Sequence, residues 1–304
     1  MIRKIVAFVI VLIVASFGTA NADESFLITV PDGAPAMAVS ELYINNPENV
    51  RTIAADTIAA EFASEESDFI IAPVNAGAKL FSAGKSHYRL AAIITWGNLV
   101  FASQKDNFNL DMINNSKLIL FGENTINASV ALYVLQQKGI VPAEIEYLAG
   151  AKNTQELMMS DPESIVLTAE PIATIAKMKN NAVSIINLNT IFKEITGFEG
   201  FTQAGLFVRE KDISEKKESV SHWLELIRES VEICSNDPNK AASNAVAMGI
   251  LPNENIAKAA IPNCGIRFMY AKDAKEMIEM TVRIDPKQFG GDLPSDELYF
   301  DVHE

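Results

Sequence analysis

The stretch Phe26-Leu27-Ile28-Thr29-Val30-Pro31-Asp32-Gly33-Ala34-Pro35 decides the fold of this chain. Its first five residues are apolar or β-branched and predict a short buried strand, and Pro31-Asp32-Gly33 predicts a turn. Pro35 suits the first turn of a helix that continues to about Leu42. The stretch therefore predicts a strand–turn–helix unit.

The same order recurs along the chain. Short apolar runs at 68–72, 117–121 and 164–168 are each followed by a turn and a helical pattern, and further strand patterns lie at 90–95, 145–148 and 183–187. Strands that alternate with helices are typical of α/β proteins whose sheets are mainly parallel and covered on both faces. The sequence thus predicts an α/β fold.

Two longer strand patterns, 98–103 and 202–208, bracket the second series of units. We interpret them as two strands that cross between two lobes and act as a hinge. The predicted organisation is a signal peptide at 1–22, lobe 1 at 23–100, lobe 2 at 101–203, and a return to lobe 1 with C-terminal helices and a tail at 204–304. A chain of this length is near the size at which one core divides into two.

The amino terminus reads as an export signal. Arg3 and Lys4 precede the uncharged apolar block Ile5–Phe17, and Ala20-Asn21-Ala22 supplies small residues for cleavage. The block has 13 residues, whereas a membrane span needs about 20, so an uncleaved anchor is the less favoured alternative. No cysteine lies near the cleavage point to accept a lipid. We therefore expect a freely diffusing periplasmic protein.

Charge argues against a polyanionic partner. The chain has 25 basic and 39 acidic residues. Segment 1–22 holds two basic residues and no acidic one, so the remainder has 23 basic residues and a net charge of −16. Such a surface repels nucleic acid and anionic lipid and promotes solubility. We expect no nucleic-acid partner.

Cysteine and histidine usage gives no sign of catalysis or metal binding. Cys234 and Cys264 leave two alternatives open, one disulfide or two buried free thiols. His87, His222 and His303 are scattered without zinc-ligand spacing, and the common nucleotide-binding and nucleophile motifs are absent. The sequence predicts no cofactor, no metal site and no catalytic residue.

Five segments carry a family resemblance: Val30–Ala36, Asp68–Ala76, Thr95–Leu99, Thr168–Thr174 and Gly290–Asp296. In this order the chain resembles substrate-binding proteins of ABC importers, closest to the NitT/TauT group for nitrate, sulfonates, taurine and thiamine precursors. The resemblance implies a type II periplasmic-binding fold whose two lobes close on a small solute by a hinge. It further implies docking on a membrane permease, and we expect a monomer.

Ligands of open α/β sheets bind beyond the carboxyl ends of the strands, and helix N-termini there offer free N–H groups. Helix capping is an alternative role for Asn75 and Thr125, and burial under the hinge is the alternative to ligand stacking for Trp96. The predicted ligand-binding residues are Asp32, Gly33, Ala34, Asn75, Ala76, Thr95, Trp96, Asn98, Glu123, Asn124, Thr125, Thr168 and Glu170.

These loops carry Asp32, Glu123 and Glu170 but no arginine. A strongly anionic ligand is usually met by an arginine fork, so the sequence favours a neutral, zwitterionic or cationic solute. Two other functions remain open. One is a cleft enzyme on the same fold, as in menaquinone biosynthesis, against which the signal peptide argues. The other is a periplasmic protein that senses a ligand and signals.

Overall fold

The computed structural model describes residues 25–55 and 57–302, so the predicted signal peptide and His303 lie outside the described part. In the described ranges, no helix is long and apolar enough to cross a membrane. Two β-sheets flanked by helices form the two lobes of a mixed α/β fold, which confirms the predicted fold class.

The strands are short, as the sequence predicts. Their bounds are β1 Ile28–Pro31, β2 Val50–Ile53, β3 Phe69–Pro73, β4 Tyr88–Thr95, β5 Leu99–Ser103, β6 Lys117–Phe121, β7 Glu144–Leu148, β8 Ile165–Ala169, β9 Ser184–Asn187, β10 Ala204–Arg209 and β11 Ile266–Tyr270. Lobe 1 has the strand order β11-β4-β10-β3-β1-β2, and lobe 2 has the order β7-β6-β8-β5-β9.

Helices follow most of the strands. Their bounds are α1 Ala34–Ala38, α2 Ser40–Asn45, α3 Ile58–Ser64, α4 Val74–Ser82, α5 Ile126–Gln137, α6 Ala151–Ser160, α7 Ile172–Lys179, α8 Leu188–Thr196, α9 Glu210–Glu215, α10 Lys217–Asn236, α11 Pro238–Ala247, α12 Glu254–Ala260 and α13 Lys275–Ile284. The longest of them, α10, packs against α2 and β11 of lobe 1.

Each sheet combines parallel and antiparallel pairs, and most of its strands run in one direction. In lobe 1, β1 pairs in parallel with β2 and β3, β10 lies antiparallel between β3 and β4, and β11 pairs antiparallel with β4 at the edge. In lobe 2, β6 pairs in parallel with β7 and β8, while β5 lies antiparallel between β8 and β9. The strands β5 and β10 each directly follow a segment in which the chain crosses from one lobe to the other.

The opening stretch forms the predicted unit. Phe26, Ile28 and Val30 are fully buried because they pack in one core cluster with Met37 of α1 and Trp223 of α10. The predicted helix is divided in two at Val39, however. The Val39 N–H donates to the Ala36 carbonyl at 3.3 Å, and this i→i−3 bond tightens the turn and ends α1.

The chain crosses between the lobes twice, at neighbouring positions. It leaves lobe 1 after β4 through residues 96–98 and returns through 197–203 into β10. The Gln203 N–H donates to the Thr95 carbonyl at 3.1 Å, and the Ala204 N–H donates to Thr95 Oγ1 at 2.9 Å. The two crossings therefore run side by side.

The first crossing is also packed tightly against the turn before β11. The Trp96 N–H donates to the Gly265 carbonyl at 2.8 Å. A Cβ at Gly265 would lie 2.4 Å from the Gly97 carbonyl oxygen, and the φ of Gly265 is +64°. Only glycine fits this approach without displacement of the backbone.

The two cysteines are free thiols, so the structure shows the second of the two alternatives. Cys234 lies near the end of α10, and Cys264 follows a short 3₁₀ turn after α12. Burial raises the pKa of Cys234 to about 12 and also raises that of Cys264 well above its usual value. The Cys264 thiol donates to the Ala260 carbonyl at 3.3 Å, so it is oriented along its own turn rather than into a disulfide.

Candidate functional site

A cavity of about 370 Å³ lies between the lobes, where strands of both sheets end. Its wall contains the last residues of β1, β3 and β4 from lobe 1 and of β6 and β8 from lobe 2. These strand ends are the place where open α/β sheets bind ligands. The wall is formed by Pro31, Asp32, Gly33, Ala34, Pro35, Ala55, Pro73, Thr95, Asn98, Phe121, Asn127, Ala151, Ala169, Glu170, Pro171, Ile172, Gln203 and Ala204.

A second depression, of about 390 Å³, lies in lobe 2 beside the amino ends of β6 and β8. Both of its lysines are paired with glutamates of the same depression. Lys105 contacts Glu163 at 3.0 Å, and Lys117 contacts Glu146 at 2.7 Å. In this depression the lysines are neutralised by neighbouring glutamates, and only lobe 2 contributes residues. The interlobe cavity is therefore the better candidate site.

Helix N-termini face the interlobe cavity. Ala151 begins α6 and Ile172 begins α7, and both residues are on the wall. Neither N-cap residue, Gly150 or Pro171, provides a side-chain acceptor for the first turn. The first turn of α6 therefore contributes partial positive charge from the backbone, whereas in α7 the Thr174 N–H donates to the Glu170 carboxylate at 3.0 Å.

Glu170 is the most unusual residue of the wall. It is only 4% exposed, and its carboxylate accepts hydrogen bonds from the Thr174 N–H and the Thr174 hydroxyl, each at 3.0 Å. Burial raises the pKa of Glu170, and the two hydrogen bonds from Thr174 offset this only in part. No lysine or arginine of the described chain pairs with it.

Asn98 connects the two crossings to this carboxylate. Its Nδ2 donates to the Glu170 carbonyl at 2.7 Å, and its Oδ1 accepts from Gln203 Nε2 at 2.9 Å. The Glu170 N–H in turn donates to the Asn98 carbonyl at 2.8 Å. Asn98 thus holds the end of β8 against both crossings.

Asn127, in the first turn of α5, adds an unsatisfied acceptor to the wall. Its Oδ1 is buried, and no group of the described chain donates to it. Buried polar atoms nearly always have a partner, so this oxygen is suited to accept a hydrogen bond from a molecule in the cavity.

Of the predicted site residues, the structure brings six together on the wall, namely Asp32, Gly33, Ala34, Thr95, Asn98 and Glu170. Asp32 is exposed at the rim, whereas Thr95 and Glu170 are buried. These six come from the ends of β1, β4 and β8 and from the first crossing.

The other seven predicted residues do not line the cavity. Asn75 and Ala76 lie half-buried in the first turn of α4, and Glu123 and Asn124 are exposed in the turn after β6. The side chains of Thr125 and Thr168 form hydrogen bonds within lobe 2. The Thr125 hydroxyl donates to the Gly122 carbonyl at 2.6 Å, and the Thr168 hydroxyl donates to the Ala151 carbonyl at 3.0 Å.

Trp96 has the buried position that the sequence left as its alternative role. It is 2% exposed, and its Nε1 donates to the Arg267 carbonyl at 2.8 Å. The Arg267 guanidinium lies over the indole ring, 4.4 Å from its centre. The ring is therefore covered by the protein itself.

Sequence reasoning missed several wall residues, including Phe121, Asn127, Ala169 and Gln203. Phe121 is the last residue of a predicted strand and Ala169 directly follows another, so the strand-end rule would have found them. Gln203 is a polar residue inside an apolar crossing pattern, which is also a usable signal. Asn127 has no such signal, because it follows a turn already rich in polar residues.

The site shows no arrangement for a metal ion. In the ranges 25–55 and 57–302, no group of three His, Cys, Asp or Glu side chains is placed to hold one.

We expect Asn98→Ala to lower the free energy of unfolding by about 2 kcal/mol, because the Glu170 carbonyl and the Gln203 amide both lose a hydrogen-bond partner. Urea unfolding followed by circular dichroism measures this. Asn181→Ala, the same change at an exposed turn, should shift stability by no more than about 0.5 kcal/mol. Equal effects of the two variants would contradict the role given to Asn98.

The raised pKa of Glu170 predicts a pH dependence of stability. Because the folded-state pKa lies above the unfolded one, the contribution of Glu170 to stability is greatest at low pH and is lost as pH rises through the folded-state pKa. Thermal unfolding of the wild type and Glu170→Gln is compared between about pH 4 and 8. The wild-type midpoint should fall relative to that of the variant as pH rises.

Glu123→Gln, the same chemical change at an exposed position, is measured alongside. A wild type that gains stability relative to Glu170→Gln with rising pH would show that burial does not disfavour the charged form of Glu170.

Many solved structures resemble this chain, and three of them are described here. An ABC transporter from Parabacteroides distasonis has a TM-score of 0.77 at 20% identity, covering 91% of this chain and 99% of that chain. The ligand-binding component of an ABC-type import system from Staphylococcus aureus, with zinc bound, has a TM-score of 0.68 at 7% identity. That match covers 91% of this chain and 96% of that chain. The periplasmic aliphatic sulphonate binding protein from Escherichia coli has a TM-score of 0.67 at 12% identity. That match covers 92% of this chain and 93% of that chain.

No protein-family model and no curated protein sequence matches the chain. At these identities the structural similarity shows the fold, which is that of the periplasmic binding proteins.

Proposed function

We propose that this protein is the periplasmic solute-binding component of an ABC importer. The observation that carries the proposal is the interlobe cavity, which both lobes wall at the carboxyl ends of their strands. Its volume of about 370 Å³ suits a small organic molecule. The fold shared with proteins described as ABC-type binding components supports this role.

The crossings at 96–98 and 197–203 are the proposed hinge. Lobe 1 would then comprise 25–95 and 204–302, and lobe 2 would comprise the segment between the crossings. Away from the hinge, Asn263 Nδ2 of lobe 1 lies 3.5 Å from Thr174 Oγ1 of lobe 2. A rotation about the hinge would make and break contacts of this kind as solute enters and leaves.

The proposal involves binding without chemistry. The ionisable residues of the described wall are Asp32 and Glu170, and no serine, cysteine or histidine accompanies them. The NitT/TauT assignment and the permease partner rest on the sequence resemblance, and the sulphonate-binding neighbour is consistent with that group. We propose that the protein acts as a monomer that docks on its permease when closed.

Filling the cavity should abolish solute binding. Ala151 begins α6 on the wall and is half-buried, so Ala151→Trp places an indole in the cavity. A thermal-shift panel of small amines, amidines, alcohols, carboxylates and sulfonates identifies stabilising compounds, since a ligand at 100 times its Kd adds about 2.7 kcal/mol of stability. Stabilisation should disappear in Ala151→Trp.

Ala182→Trp, the same change at an exposed position of lobe 2, is the matched control and should bind as the wild type does. A compound that still stabilises Ala151→Trp would bind elsewhere, and failure of every compound to stabilise the wild type would refute a solute-binding role.

Export predicts a defined mature amino terminus. When the full chain is produced in a Gram-negative host, we expect the periplasmic fraction to contain a protein that begins at Asp23. Intact-mass spectrometry measures this directly. Ala22→Arg should block cleavage and leave the longer chain at the membrane, and a wild-type chain that retains Met1 in the membrane fraction would support the anchor alternative.

A further inference from the structure

We propose that the cavity recognises its solute through a protonated nitrogen, such as that of a primary amine or an amidine, held by the Glu170 carboxylate with Asn127 Oδ1 as a second acceptor. This inference rests on the proposed function, because it names the class of solute that the same cavity takes.

The first support is the state of the Glu170 carboxylate. It is nine-tenths or more buried, and each of its oxygens accepts one hydrogen bond from Thr174. A carboxylate oxygen can accept two, so each retains a lone pair. Buried carboxylates are normally paired with a cation, and the described chain supplies none here. A cation in the cavity would provide the missing partner.

The second support is independent of Glu170. Asn127 Oδ1 belongs to another helix of lobe 2, is buried, and accepts no hydrogen bond from the described chain. The Asn127 residue is on the wall of the same cavity. A protonated nitrogen carries two or three N–H donors, whereas an alcohol carries one, so a cationic group matches a wall with more than one free acceptor better than an alcohol does.

The remainder of the wall distinguishes between cations and anions. Its described residues include no lysine, arginine or histidine, and its acidic members are Asp32 and Glu170. A sulfonate or phosphate would therefore meet only backbone N–H groups at helix N-termini, with a carboxylate nearby. The apolar part of the wall, which includes Pro31, Phe121 and Ile172, suits a hydrocarbon portion attached to the nitrogen.

Glu170 also has a structural role that the test must separate. Its carboxylate accepts the Thr174 N–H in the first turn of α7, which stabilises that helix terminus. Loss of this bond alone would lower stability without changing which solutes bind. Discrimination between charged classes of solute is therefore the decisive measurement.

The experiment uses the full mature protein and compounds that share a skeleton but differ in charge. The probes are benzylamine, benzamidine and butylamine, each compared with its matched alcohol, amide or sulfonate: benzyl alcohol, benzamide and butane-1-sulfonate. Thermal shift ranks them, and calorimetric titration gives Kd. We expect the cations to bind more tightly than their counterparts.

Glu170→Gln should weaken binding of the cations roughly 10- to 100-fold, the loss expected for a charge-assisted hydrogen bond. Glu123→Gln, which makes the same charge change outside the wall, should leave Kd within about twofold. Asn127→Ala should weaken the binding of the cations by a smaller factor. If Glu170→Gln folds poorly, Glu170→Asp keeps the charge and should keep the preference for cations.

The outcomes separate this inference from the proposed function. If sulfonates bind best, or if cations bind Glu170→Gln as well as the wild type, the inference is wrong while the cavity remains a solute site. If no probe binds here and no compound of the wider panel binds the wild type, both fail. Cation binding that Ala151→Trp leaves intact also refutes the inference, because the site would lie outside the cavity.

Discussion

The relation between the two lobes depends on the side-chain amide of Asn98. It joins three separate parts of the chain, because it lies in the first crossing, accepts from Gln203 in the second, and donates to the carbonyl of Glu170 at the end of β8. Asn189 reinforces the first crossing by donating to the Gly97 carbonyl at 2.9 Å. The position of the only strongly buried acid of the cavity wall is thereby tied to the place where the lobes meet.

Much of the fold follows from local patterns. The apolar run at 26–30 with its turn, and the repeats of that unit, predict the parallel strands and the helices after them. The insertion of β10 between β3 and β4 could not be predicted in this way. That pairing joins residues more than 100 positions apart, and no local pattern of a strand indicates which neighbours it will have. The strand patterns at 98–103 and 202–208 supplied the expectation of two crossing strands, and the family resemblance supplied the expectation that the lobes close about them.

The candidate site was predictable to the level of strand ends but not of single side chains. Adjacent residues of a strand point to opposite faces, so neighbours such as Thr168 and Ala169 have different surroundings. Thr168 bonds to the Ala151 carbonyl, while Ala169 borders the cavity. The surroundings of loop residues were still harder to predict. Asn124 and Asn127 are similar in sequence context, yet one is exposed and the other has a buried unsatisfied oxygen.

The two buried thiols have a consequence for the order of events during maturation. Exchange of thiols and disulfides proceeds through the thiolate, and burial raises the pKa of both Cys234 and Cys264. Once α10 has docked on lobe 1, the thiolate is scarce and an oxidant has no access to the sulfur. Burial thus protects both cysteines as thiols in the folded protein, and any oxidation of them would have to precede folding.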